Sequence, residues 1–214
     1  MIKICVIGLG YVGLPLALNV SKKFKTIGFD INKKRIAQLK KHSDNNFGNF
    51  LQKYTGLKIN KDFFICYSPE RINPGDNTKK LNQIDKIFST KIKDKRKIKD
   101  IKKIYSLVSK KLIFTKNIQE SEAAKVIENI QRDLNIAFYN EILMICDKLK
   151  LNFSEVIRLA STKWNFLKFN PGLVGGHCLP VDPYYLSYIS KKNNLNLKTT
   201  LAGRDTNNSM KKYV

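Results

Sequence analysis

The chain has 214 residues, a hydrophobic fraction of 43% and a formal net charge of +23. This length suffices for one complete domain and part of another, and the apolar content suffices for a packed core. Since no apolar run is long enough to cross a membrane and the N-terminus enters a strand-like run directly, we expect a soluble cytoplasmic protein with no signal peptide and no membrane contact.

The positive charge comes mostly from lysine spread along the chain, and it is densest in the run KIKDKRKIK over residues 91–99. This run lacks the interleaved aromatic residues that stack on nucleic-acid bases. The charge therefore indicates a general compositional bias, and we expect no nucleic-acid partner. A positive potential would still attract small anionic ligands.

The four cysteines do not form the paired pattern of a disulfide framework. Cys5, Cys66 and Cys146 lie in apolar runs, where cysteine usually acts as a small buried hydrophobic residue. Only Cys178 lies in a glycine-containing loop. With two histidines and no Cys-x-x-Cys pair, the sequence predicts no metal site.

The first elements along the chain form a βαβ unit. Hydrophobic periodicity predicts a strand at 2–7, a helix at 14–23, a strand at 25–29 and a helix at 32–41. A polar, irregular stretch follows these elements. A βαβ unit at the start of a chain is typical of a parallel sheet.

The rest of the chain alternates strands and helices before becoming helical. The predicted strands are 62–67, 86–89 and 112–115, and the predicted helices are 97–110, 121–149, 154–160 and 182–191. Ser121 is a plausible cap of the long helix, which contains no proline or glycine. The fold class is therefore α/β, with an incomplete Rossmann-type parallel sheet followed by a long central helix and a helical catalytic domain.

The run GLGYVG at residues 8–13 has the spacing of a dinucleotide-binding turn. Gly8 would make the tight turn, Gly10 would let a pyrophosphate approach, and Gly13 would allow close packing of helix and strand. Asp30 closes the second strand, where a carboxylate accepts hydrogen bonds from a ribose diol and repels a 2′-phosphate. This context favours NAD over NADP, and the alternative is a glycine turn without a ligand.

The run GGHCLPVDP at residues 175–183 carries a candidate nucleophile. Glycines allow the backbone to approach a ligand closely, and a thiol beside a carboxylate is a plausible covalent catalyst. Cys178 and Asp182 supply these two groups. Together with a dinucleotide fold, they suggest an oxidation that passes through a thiol adduct.

Two further groups of polar residues could take part. Lys125, Asn129 and Arg132 share one face of the long helix and could bind a sugar and a diphosphate, although a solvated helix face would look the same. Glu70 follows the third predicted strand, where ligands gather in open α/β sheets, and could be a general base. The alternative is a turn carboxylate paired to Arg71.

Several motifs, in order along nearly the whole chain, resemble one family. They are IGLGYVGLP at 7–15, YSPERINPGD at 67–76, AAKVIEN at 123–129, RDLNI at 132–136 and GGHC at 175–178. These motifs resemble the UDP-glucose/GDP-mannose dehydrogenase family, the four-electron nucleotide-sugar 6-dehydrogenases. The sequence around Glu70 and Trp164 is most similar to the members that oxidise UDP-N-acetylhexosamines for surface-polysaccharide synthesis.

The resemblance implies a set of catalytic roles. Cys178 would capture the carbon-6 aldehyde as a thiohemiacetal, which a second hydride transfer would convert to a thioester. Glu70 would be the general base for the hydrolytic water, and Lys125 would stabilise the oxyanion. Asn129 and Asp182 would orient the water and the lysine.

The resemblance also implies the binding residues and partners. The UDP-sugar would contact Arg71, Ile72, Lys125, Asn129, Arg132 and Gly175. The NAD site would be lined by Gly8, Gly10, Tyr11, Val12, Gly13, Asp30 and Arg35. We expect a homodimer formed through the long helix at 121–149.

The chain departs from the family pattern in length. The family places several βα units between the positions of Asp30 and Tyr67, and a nucleotide-binding domain after the central helices. We therefore expect a Rossmann domain at 1–118 that is truncated internally, a central domain with the cysteine loop at 119–214, and a truncated C-terminus. Two alternatives stay open: an inactive remnant that binds or dimerises, and a basic nucleic-acid binder that salt-dependent DNA retention would reveal.

Overall fold

The computed structural model describes residues 3–7, 20–29, 52–53, 56–71 and 83–214. The chain divides into two compact units, Met1–Ala123 and Ala124–Val214. Within the described residues, no helix is both long and apolar enough to cross a membrane. The cytoplasmic location stays a prediction of the sequence.

The first unit begins with a pair of parallel strands. β1 is Lys3–Ile7 and β2 is Lys25–Phe29, and Ile7 pairs with Phe29. The chain therefore leaves both strands at the same edge of the sheet. Both strands agree with the prediction, whereas the helix predicted at 14–23 is described only from Val20, and that predicted at 32–41 lies outside the described residues.

A three-stranded sheet follows in the same unit. β3 is Cys66–Tyr67, β4 is Lys86–Thr90 and β5 is Leu112–Thr115, in the order β3-β4-β5. β4 and β5 are parallel, but β3 is antiparallel to β4. The parallel pairs β1–β2 and β4–β5 fit the expected Rossmann-type sheet, and β3 adds a short antiparallel strand at the edge of the second sheet.

The strand predicted at 62–67 is also too long, because its first half forms a turn. The Asp62 carboxylate accepts the Lys58 N–H at 2.8 Å, and the Asp62 N–H donates to the Lys58 carbonyl at 2.9 Å. Asn60 adopts a left-handed conformation with φ 66°. Local side-chain bonds of this kind compete with strand formation.

Helix α1, Lys95–Tyr105, covers the sheet with its aromatic end. Phe88 of β4 is fully buried, and its ring lies 5.6 Å from the Tyr105 ring and 5.0 Å from the Phe114 ring between centroids. The helix begins two residues before the predicted start because Asp94 caps it, accepting the Arg96 N–H at 2.8 Å. It ends five residues before the predicted end.

Four further helices follow the last strand. They are α2 at Ile118–Lys148, α3 at Phe153–Ala160, α4 at Asp182–Lys192 and α5 at Lys198–Tyr213. The first three agree with the predicted helices to within a few residues. Ser121 is not the cap of α2: it lies buried within the helix, and Asn117 instead accepts the Gln119 N–H at 3.0 Å.

Helix α5 was not predicted, because its sequence contains threonine, asparagine and glycine, which are weak helix formers. Packing within the second unit supports it instead. Arg204, Asn207 and Met210 are buried, and a Cβ at Gly203 would lie 2.5 Å from Leu134 of α2. Tertiary contact therefore outweighs local preference in this helix.

Candidate functional site

The candidate nucleophile lies just before α4, at the end of an irregular stretch that we call the cysteine segment, residues 166–181. This segment contains no helix or strand. The Cys178 side chain is exposed. The Cys178 carbonyl accepts the N–H groups of Val181 at 3.0 Å and Asp182 at 2.9 Å, so a turn leads directly from the cysteine into the helix.

Asn129 and Asp182, two of the predicted site residues, are in direct contact. The Asn129 amide Nδ2 donates to Asp182 Oδ2 at 2.6 Å, across 53 positions of sequence. Asn129 is buried on α2, and Asp182 is half-buried at the start of α4. This bond attaches the end of the cysteine segment to the long helix.

The remaining predicted residues of the second unit lie on α2 and in the cysteine segment. Lys125 is half-buried one turn before Asn129, on the same face of α2, and Arg132 is half-buried on that helix. At Gly175 a side chain would meet nothing within 4 Å, so packing does not require glycine there. Gly176 has φ 88°, a conformation that favours glycine.

In the first unit, Glu70 is held by two donors. Lys86 Nζ lies 2.8 Å from Glu70 Oε2, and the Arg71 backbone N–H donates to Oε1 at 2.9 Å. The Arg71 guanidinium donates to the Asp85 carbonyl at 3.3 Å. Lys86 is therefore an ion-pair partner of Glu70, which was not predicted from the sequence. The sequence shows only a lysine at the head of a predicted strand, and its burial is visible only in the structure.

The other cysteines differ from Cys178. Cys146 is buried and Cys66 is half-buried, whereas the Cys5 side chain lies outside the described residues. Burial raises the pKa of the Cys66 thiol from its ordinary value of 9.0 to about 12, although a hydrogen bond with Tyr105 opposes the shift. Cys66 is therefore a poor nucleophile at neutral pH.

Eight of the predicted binding residues lie outside the described residues. They are Gly8, Gly10, Tyr11, Val12, Gly13, Asp30, Arg35 and Ile72. The described strands β1 and β2 end side by side at Ile7 and Phe29. Neighbouring parallel strands that end at one edge are the frame that a dinucleotide site requires, so this part of the chain fits NAD.

Comparison with known proteins identifies the family. Residues 119–209 match the central domain of the UDP-glucose/GDP-mannose dehydrogenase family, and residues 2–54 match its NAD binding domain. The CapL protein of Staphylococcus aureus is 36% identical over 290 residues, which cover 99% of this chain and 68% of CapL. The chain belongs to the UDP-glucose/GDP-mannose dehydrogenase family. Its cofactor is NAD, and the resemblance stated from the motifs is confirmed.

Other members of this dehydrogenase family give the same result. The UDP-N-acetyl-D-glucosamine 6-dehydrogenase of Salmonella typhi is 35% identical over 293 residues, covering 100% of this chain and 68% of that protein. A UDP-D-ManNAc dehydrogenase structure from Pyrococcus horikoshii superposes with a TM-score of 0.81 at 23% identity, covering 99% of this chain and 69% of that one. The structural likeness confirms the α/β, Rossmann-type fold class.

The pairwise comparison with one relative shows that this chain is the shorter of the two over the aligned region. The alignment with the Salmonella typhi protein runs over 293 positions, whereas the whole chain has 214 residues. Part of the aligned region of that relative therefore has no counterpart here. The expected internal shortening agrees with this difference.

Proposed function

We propose that this chain oxidises the carbon-6 alcohol of a UDP-N-acetylhexosamine to a carboxylate, through a covalent adduct on Cys178. The observation that carries the proposal is the position of Cys178, exposed and directly before a helix whose first residue, Asp182, is bound by Asn129. Membership of the family and the names of relatives at 35% and 36% identity support the substrate class.

The first half of the reaction makes an aldehyde. NAD, which the glycine turn at 8–13 and Asp30 would hold, would supply the hydride acceptor for both oxidations, one NAD for each. In the first oxidation the hydroxyl proton leaves to solvent. The Cys178 sulfur, as thiolate, then adds to the aldehyde carbon to give a thiohemiacetal oxyanion. In this proposal the Lys125 ammonium stabilises the negative charge on that oxygen, as fixed positive groups do at developing oxyanions.

The second half releases the acid. In the second oxidation carbon 6 loses its remaining hydride, and the oxyanion collapses to a thioester on Cys178. Water then adds to the thioester carbon, the C–S bond breaks, and the carboxylate leaves with the thiolate restored. Glu70 is the proposed base that takes the water proton, and its two hydrogen-bond donors hold the carboxylate in one orientation.

The remaining assignments are proposals on the same basis. Asn129 and Asp182 orient the water and Lys125, while the UDP-sugar contacts Arg71, Ile72, Arg132 and Gly175. The division into a cofactor domain at 1–118 and a central domain at 119–214 belongs to the same proposal. The cofactor residues of the glycine turn and Asp30 would hold the pyrophosphate and the ribose.

A homodimer through α2 is also proposed. Ile127, Phe138 and Ile145 are exposed at 57%, 54% and 48%. Their spacings of 11 and 7 residues place them on one face of the helix, and we call this set the apolar stripe. Large apolar side chains exposed along one helix face are a typical association surface, and a second copy would cover them.

A second candidate function follows from the shortened alignment. If the missing positions remove the support of the cofactor site, the chain would be an inactive module that binds or dimerises only. In that case the defect would lie in the cofactor-binding first unit, because residues 119–209 match the family's central domain.

One assay separates the two candidates. The purified chain is incubated with NAD and UDP-N-acetylglucosamine, or its galacto and manno isomers, and both NADH and uronate are measured. The enzyme produces two NADH per uronate, and Cys178→Ser lowers uronate formation at least ~1000-fold. Cys146→Ala, which removes a buried thiol, leaves the ratio unchanged. No NADH with any of the three sugars supports the inactive module and overturns the proposal.

A further inference from the structure

The Asn140 side chain of α2 forms two hydrogen bonds with the backbone of the cysteine segment. Its Nδ2 donates to the Gly172 carbonyl at 3.1 Å, and its Oδ1 accepts the Gly172 N–H at 2.8 Å. One side chain therefore satisfies both polar groups of a backbone residue that lies in no helix or strand. Next to it, the Tyr139 hydroxyl donates to the Leu167 carbonyl at 2.7 Å. Asn140 is fully buried, so water does not compete for these bonds.

A buried ion pair fixes which way the Asn140 amide points. Asp133 Oδ1 accepts from Arg204 Nη1 at 2.5 Å and from Asn207 Nδ2 at 2.8 Å. Asn207 must then turn its oxygen away from Asp133, and that oxygen accepts from Asn140 Nδ2 at 2.8 Å. The Asn140 oxygen is left for the Gly172 N–H. Each hydrogen bond from the Asp133 carboxylate to Gly172 thus fixes the next one, and the Asn140 side-chain amide has a single orientation.

The ion pair is itself deeply buried. The Arg204 and Asp133 side chains are 2% and 1% exposed. An arginine and an aspartate in such a place need their hydrogen bonds, because an unpaired buried charge is costly. The ion pair therefore anchors the end of the network that is farthest from Asn140, with Asp133 Oδ2 and Arg204 Nε left without a hydrogen-bond partner among the described residues.

The far end of the cysteine segment is attached to the same helix. Asn129 binds Asp182 there, and 11 residues separate Asn129 from Asn140. Eleven residues correspond to about three helical turns, which places both amides on one face of α2. The chain from Gly172 to Asp182 is thus fixed to one helix face at both ends, with Cys178 between them.

We propose that Asn140 is a positioning residue for Cys178. It fixes the backbone at Gly172, before Cys178, as Asn129 fixes Asp182 after it. The Arg204–Asp133–Asn207 network holds Asn140 in the orientation that this requires. Its importance for the chemistry rests on the proposed function, because a thiol displaced by 1 Å can lose about a hundredfold in rate.

The test compares Asn140→Ala with the matched control Asn135→Ala in the full chain. Asn135 lies on the same helix, and among the described residues its side chain donates to the Gln131 carbonyl of that helix, at 2.7 Å. Hydrogen exchange, followed by peptide mass spectrometry, is expected to become about tenfold faster between Gly172 and Cys178 in Asn140→Ala, with exchange in α2 and α5 unchanged.

The kinetic effect of Asn140→Ala is measured with UDP-N-acetylglucosamine and NAD. The kcat is expected to fall at least ~10-fold while KM stays within about twofold. Asn140→Ser, which keeps a small donor and acceptor, is the second variant if Asn140→Ala does not fold.

Each outcome decides the proposal. Unchanged exchange in the segment overturns it, and so does an equal rise across α2 and α5, since Asn140 would then only support the fold. Faster exchange with unchanged kcat overturns the positioning role. If the parent chain gives no NADH, the proposed function fails, and hydrogen exchange alone decides whether Asn140 fixes the segment.

Discussion

Cys66 and Cys178 show how the surroundings of a thiol decide its chemistry. Cys178 is exposed at the start of α4, whereas Cys66 is half-buried in β3 beside Tyr105. Burial favours the neutral form of a thiol, and the thiolate is the nucleophile. Burial therefore makes Cys66 a poor nucleophile and couples the stability of the first unit to pH, whereas the exposure of Cys178 supports the covalent role proposed for it.

The first unit is expected to lose stability in alkali. The pKa of Cys66 is about 12 in the folded chain, against an ordinary value of 9.0, because the thiol is buried. Above pH 9.0 the unfolded chain releases this proton while the folded chain keeps it, so stability falls as the pH rises toward 12. Burial also raises the pKa of Tyr105 above its ordinary value of 10.0, which adds a loss that starts at higher pH.

Urea unfolding between pH 8 and pH 11 measures this effect. Cys66→Ala is expected to remove a slope of roughly 1 kcal/mol per pH unit that begins near the ordinary thiol pKa. Tyr105→Phe is expected to remove only the later part. Parallel stability curves for the parent and Cys66→Ala would show that the thiol ionises equally in both states.

At the scale of elements, α5 depends on its fit against α2. A Cβ at Gly203 would lie 2.5 Å from Leu134 Cδ2 and 3.6 Å from Ala137 Cβ. We expect Gly203→Val to lower the free energy of unfolding by about 1–3 kcal/mol, because overpacking displaces neighbouring side chains. Thermal unfolding measures the change.

Two further variants make this prediction specific. Ser209→Val places the same side chain on an exposed position of α5 and is expected to cost much less. Leu134→Ala, combined with Gly203→Val, gives the new methyl groups space, so the pair is expected to be less destabilised than the two single changes added together. Additive effects would mean that Gly203 and Leu134 do not meet.

Local patterns predicted the elements that depend on local sequence. Short apolar runs form the strands β1, β2, β4 and β5. The long helix α2 coincides with a stretch that contains no proline or glycine. Helix α5 could not be predicted this way, because buried contacts of Arg204 and Asn207 stabilise it. β3 is shorter than predicted because the Asp62 carboxylate bonds to the Lys58 N–H and forms a turn, which hydrophobic periodicity does not reveal.

In the candidate site, too, features that are local in sequence were predictable and long-range contacts were not. Cys178 and Asp182 lie four residues apart, so their association was visible in the sequence. The pairs Glu70–Lys86 and Asp133–Arg204 join residues 16 and 71 positions apart. No spacing rule connects such positions, and only the fold brings them together.

At the scale of the whole molecule, charge and apolar surface act against each other. Each copy carries a formal charge of +23, which repels a second copy. The apolar stripe of α2 favours association, since burying it removes apolar surface from water. The balance between these terms should depend on salt, which screens charge but leaves the apolar contact in place.

We therefore expect the fraction of dimer to rise with salt and to depend on the apolar stripe. Light scattering after size-exclusion chromatography, at 50 mM and 300 mM salt, measures the mass of the parent chain, Phe138→Glu and the control Leu195→Glu. Phe138 and Leu195 are similarly exposed, at 54% and 58%, but only Phe138 lies on the apolar stripe.

Phe138→Glu is expected to be monomeric at both salt concentrations, because a charge buried in an apolar interface costs several kcal/mol, enough to weaken association at least ~100-fold. Leu195→Glu is expected to follow the parent. Loss of dimer in both variants, or in neither, would place the association surface elsewhere, and a dimer that weakens with salt would show that charge pairing, rather than apolar burial, holds the two copies together.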